Sequence, residues 1–97
     1  MRKIFLICNA GMSTGILAKR IETASNGSYE VKAYGLADYL DNISEAELIL
    51  VGPQIRYLIP DIQKSTSVPV VGINPSRYGL MDGKGVYQDI KKLLGDE

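Results

Sequence analysis

The chain has no histidine and no tryptophan among its 97 residues, and it has one cysteine, Cys8. Without histidine there can be no Ser-His or Cys-His nucleophile pair within the chain, no histidine metal site and no phosphohistidine of its own. If chemistry takes place here, a histidine enters only from a partner. A lone cysteine excludes an internal disulfide, and a reducing compartment keeps it as a thiol. An excess of charge of either sign is also missing. Eleven Lys and Arg balance eleven Asp and Glu, with no long block of either, so nothing offers an electrostatic footprint for nucleic acid or an anionic membrane. No apolar run approaches the roughly 20 residues of a membrane span. The stretch in MRKIFLIC is too short for a signal-peptide core and runs straight into a glycine-containing loop. The expectation is a cytoplasmic chain with no direct membrane insertion, no metal and no cofactor.

What is present is the balance of an ordinary globular domain, 45% hydrophobic and 23% charged. The length suits one domain over residues 1–97, so a second functional part is expected on another chain. Ile4-Phe5-Leu6-Ile7-Cys8 is a nearly continuous apolar strand of the kind covered on both faces in a parallel sheet. Ile16, Leu17, Ile21 and Ala24 then fall close to helical spacing, and Asn26-Gly27 is a stop signal. Tyr29 to Tyr34 alternates as a half-exposed edge strand would, with Tyr29, Val31 and Ala33 against Glu30 and Lys32. A short amphipathic piece, Leu36 to Ile43, follows.

Leu48 to Val51 is a second buried run. It ends at Gly52-Pro53, where proline at the first helical position suits a strand-to-helix junction. Ile55, Leu58, Ile59 and Ile62 predict the helix, with Pro60 marking a kink or a restart. Val68 to Ile73 reads as a fourth strand, and Val86, Ile90, Leu93 and Leu94 as a last helix closed by Gly95. This alternation predicts a three-layer α/β domain with a four-stranded parallel sheet, order 2-1-3-4, and helices on both faces. In such a sheet the topological switch point lies between strands 1 and 3, and ligands bind at the carboxyl ends of the strands there. Cys8 and Gly52-Pro53-Gln54 would line that crevice.

The loop Cys8-Asn9-Ala10-Gly11-Met12-Ser13-Thr14-Gly15 has what an anion site needs. Small residues let backbone N–H groups turn inward, and a helix N-terminus adds partial positive charge. The same field favours thiolate over thiol at Cys8. Ser13 and Thr14 can cap the helix or donate to a phosphate oxygen. The plainer alternative is that Cys8 is a small buried hydrophobe and Ser-Thr only a cap.

Known loop patterns narrow the chemistry. A tyrosine phosphatase loop places an arginine six positions after its cysteine, to grip the phosphoryl oxygens and stabilise transition-state charge. Thr14 stands there instead, which suits a site that receives and passes on phosphate better than one that hydrolyses it. Gly-Lys-Ser/Thr does not follow Gly11 as a Walker A loop requires, and there is no Cys-x-x-Cys. The alternatives left open are a low-molecular-weight phosphatase-like hydrolase, a flavodoxin-like module holding a flavin phosphate on Ser13-Thr14-Gly15, and a fold relative with an inert Cys8.

Three pieces together, CNAGMSTGIL from Cys8, LVGPQIRYLIPDIQ from Leu50 to Gln63 and YGLMDGKGV from Tyr78 to Val86, resemble the IIB subunits of the bacterial phosphoenolpyruvate-dependent sugar phosphotransferase system, in the lactose/cellobiose/chitobiose class. The resemblance spans nearly the whole chain. It implies a fold like that of low-molecular-weight tyrosine phosphatases and a protein-phosphocysteine-sugar phosphotransferase. Cys8 would accept a phosphoryl group from a phosphohistidine of the IIA protein. It would pass the group to a sugar, such as cellobiose, chitobiose or lactose, bound by the membrane transporter IIC. The backbone from Asn9 to Gly15 would cradle the phosphate, and the chain would associate with the inner membrane face through IIC.

Further candidates lie near the same edge. Gln54 and Arg56 follow strand 3, and Arg56 could attract a phosphorylated partner loop or be a solvated helix residue. Tyr57 could pack under the loop. Tyr78, Gly79 and Asp82 follow strand 4 and are candidates for partner docking, with Asp82-Gly83 also a turn and helix start. Met12 is either a docking contact at the loop tip or a core filler.

Overall fold

A computed structural model describes residues 2–8, 11–36 and 38–95, with no side-chain description at 11–13. Four strands, β1 (Arg2–Cys8), β2 (Tyr29–Gly35), β3 (Leu48–Val51) and β4 (Val70–Gly72), form one parallel sheet in the order β2-β1-β3-β4. β1 is central: it pairs with β2 from Arg2↔Tyr29 to Cys8↔Gly35 and with β3 from Ile4↔Leu48 to Ile7↔Val51. The expected order and parallel pairing are those observed.

Because side chains alternate along a strand, β1 feeds two separate cores. Ile4, Leu6 and Cys8 join Leu48 and Leu50 under helices α1 (Gly11–Ala24), α3 (Pro75–Gly79) and α4 (Gly83–Leu94), which contribute Leu17, Ile21, Tyr78, Val86 and Ile90. Phe5 and Ile7 join Ile49 and Val51 under the other layer, with Tyr39, Ala46, Ile55 and Ile62. That second layer is thin. It consists of 3-10 turns at Tyr39–Asp41, Ile43–Glu45 and Pro53–Leu58 and a five-residue helix, α2 (Ile59–Gln63).

Several local expectations change in the structure. The helix expected from Pro53 is 3-10 as far as Leu58, with a non-helical break at Ile55 (φ −124°, ψ 21°), and true α-helix starts only at Ile59. Pro60 thus marks a restart, in a first turn where its missing N–H costs nothing. β4 is shorter than Val68 to Ile73, since Pro69 has no N–H and the Gln63 side chain takes over the flanking backbone. Its Nε2 donates to Thr66 O (3.2 Å) and Val68 O (2.8 Å), and its Oε1 accepts from Val70 N–H (3.2 Å). α3 was not anticipated. It is started by Asn74, whose Oδ1 accepts from the N–H groups of Ser76 and Arg77, and by Pro75 in the first turn.

Two residues of the expected apolar helix stripes, Ile16 and Leu93, are about half exposed. Thr14 and Ala18 take the buried positions on α1 instead. Asn26 and Gly27, both at positive φ, end α1, and Gly95 in the left-handed region ends α4.

α1 and α4 approach so closely that a Cβ on Gly83 would run into Arg20 Cβ and the Arg20 backbone. On α1 itself, Gly15 has open space where a Cβ would go. Gly83→Ala should therefore pry the two helices apart and cost about 1–3 kcal/mol in urea denaturation. Gly15→Ala should stabilise the protein by about 0.5–1 kcal/mol in the same assay, through helix propensity alone.

Candidate functional site

Cys8 is the last residue of β1, and the chain reaches α1 at Gly11. Of the expected loop, Gly11, Met12, Ser13, Thr14 and Gly15 are helical. Asn9 and Ala10, and the expected roles of the Met12 and Ser13 side chains, lie outside the described residues. In any α-helix the N–H groups of the first turn have no carbonyl within the helix to bond, so the amides available to an anion belong to the very start of α1. Thr14 is past that start and 0% exposed, packed inside the first turns.

The cysteine is enclosed. Only 3% of Cys8 is exposed, and its Sγ lies 3.4 Å from the Tyr78 hydroxyl, a hydrogen bond across the α1/α3/α4 face of the sheet. On the β3 side, Gly52 N–H donates to Ile7 O (2.9 Å), which extends the β1–β3 ladder one residue past Val51. A Cβ added at Gly52 would sit 3.3 Å from Cys8 Sγ and 3.2 Å from Gln54 Oε1. The sulfur and the Gln54 amide thus flank one point, and the absence of a side chain at Gly52 gives both their room. The expected convergence of Cys8 with Gly52-Pro53-Gln54 at the switch point is present.

The other candidates separate. Arg56 is exposed and lies toward Gly72, in an open groove with Asn74, Asp89 and Lys92 rather than at the sulfur. Tyr57 is 75% exposed, so it does not pack under the loop. Gly79 closes α3. Tyr78 is 8% exposed and turned inward onto Cys8 rather than outward as a docking residue.

Asp82 starts α4. Its Oδ1 accepts from Gly85 N–H (2.9 Å) and its Oδ2 from Arg77 Nη1 (3.2 Å). The Gly85 amide holds its carboxyl below the usual carboxylate range; burial, the next effect in size, pushes the other way, and the Arg77 guanidinium adds to the lowering.

The reading from sequence missed Arg77. Its Nε donates to Asp89 Oδ2 (3.1 Å), and its Nη2 reaches Asp89 Oδ1 (3.5 Å) while Nη1 holds Asp82. One guanidinium therefore ties α3 to the start and the middle of α4. Hydrogen bonding to Asp89, then its charge, makes the Arg77 proton harder to remove than usual. A Cβ at Gly85 would collide with this guanidinium and with the Asp82 carboxylate. The only trace in the sequence was Asn74-Pro75, a helix start that places Arg77 and Tyr78 side by side on one turn.

Two outcomes follow from this geometry. Gly52→Ala should displace Cys8 Sγ and the Gln54 amide, costing about 1–2 kcal/mol in urea denaturation and altering the rate of Cys8 alkylation. Asp82 has a lowered pKa in the fold, so its charge stabilises the protein above its unfolded value near pH ~4. That contribution is lost as pH falls through the folded value. Asp82→Asn keeps a capping oxygen but not the charge, so its Tm should lie below wild type at pH 7 and converge with it in acid.

The chain matches, over residues 3–89, the family model described as PTS system, Lactose/Cellobiose specific IIB subunit. It is 30% identical to the oligo-beta-mannoside-specific EIIB component of Bacillus subtilis, across 97% of each chain. It is 32% identical to the cellobiose-specific EIIB component of Lactococcus lactis, across 94% of each. The solution structure of a cellobiose-specific IIB component from Borrelia burgdorferi superposes with a TM-score of 0.64 at 29% identity, covering 90% of this chain and 85% of that one. The lactose-specific IIB domain from Streptococcus pneumoniae shares the fold at a TM-score of 0.78 and 17% identity, covering 94% and 95%. This chain, with its parallel sheet in the order 2-1-3-4 and Cys8 at the switch point, belongs to the lactose/cellobiose-specific IIB family of the sugar phosphotransferase system.

Proposed function

We propose that the whole chain is one phosphocarrier domain and that Cys8 carries the phosphoryl group. The observation that carries this reading is the placement of the chain's single cysteine at the carboxyl end of the central strand, three residues before a helix start and beside Gly52. In the first step the Cys8 thiolate attacks phosphorus in line, an S–P bond forms, and the P–N bond to a histidine of a IIA protein breaks. In the second, a sugar hydroxyl bound by the membrane component IIC attacks the same phosphorus. An O–P bond forms, the thiolate leaves, and the hydroxyl proton passes to solvent.

Such transfers need approach and charge stabilisation more than acid or base, because a loose transition state spreads charge over the phosphoryl oxygens. Backbone N–H groups from Asn9 to the start of α1 would supply that support, with Ser13 as a further donor. Gln54, beside the sulfur, would meet the incoming partner, and Arg56, in the groove beside Gly72, would add positive charge on a more distant part of the docking face.

The sugar is assigned to the β-linked disaccharides, such as cellobiose, chitobiose or lactose, with its identity read by IIC. Relatives of nearly equal identity are named for oligo-beta-mannoside, galactose and cellobiose, which argues that this subunit does not select among them. Among the described residues no helix is long and apolar enough to cross a membrane, in keeping with a carrier that meets IIC from the cytoplasmic side.

The test is intact mass spectrometry after incubation with phosphoenolpyruvate, the general phosphotransferase proteins and a matched IIA protein. One added phosphoryl group is expected, dependent on IIA and absent from Cys8→Ser. No addition to the folded wild-type chain across several matched IIA proteins would refute the assignment.

A further inference from the structure

The enclosure of Cys8 carries one step more. Its sulfur faces the hydroxyl of Tyr78 at 3.4 Å, and Tyr78 is buried on a helix of only five residues. Such a helix has no stability of its own. α3 holds its place because Arg77, the neighbour of Tyr78, grips Asp82 and Asp89 with three donors, and because Asn74 caps it. The clamp is itself conditional on Gly85, where any side chain would occupy the guanidinium's space. A three-part arrangement therefore converges on one hydroxyl and aims it at the nucleophile.

We infer that Tyr78 is a positioning residue for Cys8: its hydroxyl donates to the sulfur in the thiolate form and fixes the direction of the attacking lone pair, with the Arg77–Asp82–Asp89 clamp holding the hydroxyl in reach. The inference rests on the phosphocysteine reading. A phenol donor is well suited to this task, because it stabilises the anion without placing a competing positive charge where the phosphoryl group must arrive. When sulfur gains phosphorus, the same hydroxyl is released from the thiolate and can turn to a phosphoryl oxygen.

The groups that face the sulfur from the described residues are these. Tyr78 faces it from α3, Gly52 and the uncharged Gln54 flank it after β3, and α1 contributes the partial positive charge of its N-terminus. The charged residues next in line, Arg77, Asp82 and Asp89, are engaged with one another.

The test uses Tyr78→Phe, which keeps the ring and removes the hydroxyl. The rate of Cys8 alkylation by iodoacetamide is followed against pH in the full chain, with the Tm of each variant measured alongside. Loss of one hydrogen bond to a charged atom should move the midpoint up by about one pH unit, a roughly tenfold loss of thiolate at neutral pH. Phosphoryl transfer from IIA should slow by a similar factor. Asp89→Asn, which loosens the clamp without touching Cys8 or Tyr78, should move the midpoint in the same direction by less, and it serves if Tyr78→Phe fails to fold.

An unmoved midpoint in the folded variants overturns the inference. So does a rate change equal at every pH, which would make Tyr78 a cover over the sulfur and nothing more. The alkylation profile does not depend on any partner, so a wild-type chain that never takes up phosphate would refute the carrier reading through mass spectrometry while this contact is judged separately.

Discussion

Everything in this domain depends on β1 being paired on both edges and covered on both faces. A strand in that position has no water to satisfy a misplaced group, so its side chains are sorted strictly by parity. Ile4, Leu6 and Cys8 go to one core, and Phe5 and Ile7 to the other. A slip of one residue would exchange the two sets and turn the sulfur toward the thin layer of 3-10 turns, away from α3. The ladders from Arg2↔Tyr29 and Ile4↔Leu48 prevent this. The sulfur of Cys8 is thus positioned by packing several residues upstream.

The two layers divide the labour unequally. One is built from long elements, α1 and α4, locked by the close approach at Gly83, and it supplies the rigid wall behind the sulfur. The other is built from short turns whose backbone needs are met piecemeal, as with the Gln63 amide serving Thr66, Val68 and Val70. Gln54, Arg56 and Tyr57 all stand there, exposed, on a segment whose helical geometry is interrupted at Ile55.

Much of this architecture was legible in the residues. Uniformly apolar runs at Ile4–Cys8 and Leu48–Val51 marked the interior strands, and the polar alternation from Tyr29 marked the edge. Those patterns order the sheet, because burial on two faces and burial on one leave different periodicities. Cys8, Gly52 and Gln54 were placed in one crevice by that order, and they do meet. Helix boundaries were less legible. Propensity does not tell a 3-10 turn from an α-helix over Pro53–Leu58, and a five-residue helix such as α3 has too few positions to show a period.

What the sequence by itself determined is the set of possibilities at the sulfur: one thiol, no histidine, no arginine at the sixth position after it, small residues leading into a helix. These follow from residue identity and local spacing alone. What only the tertiary structure decided is how the sulfur is held. Tyr78 lies 70 positions away along the chain and reaches Cys8 through a helix, a cap and a three-carboxylate-oxygen grip on Arg77. No local pattern encodes that meeting, because each of its contacts joins segments brought together only when the two faces of the central strand are covered.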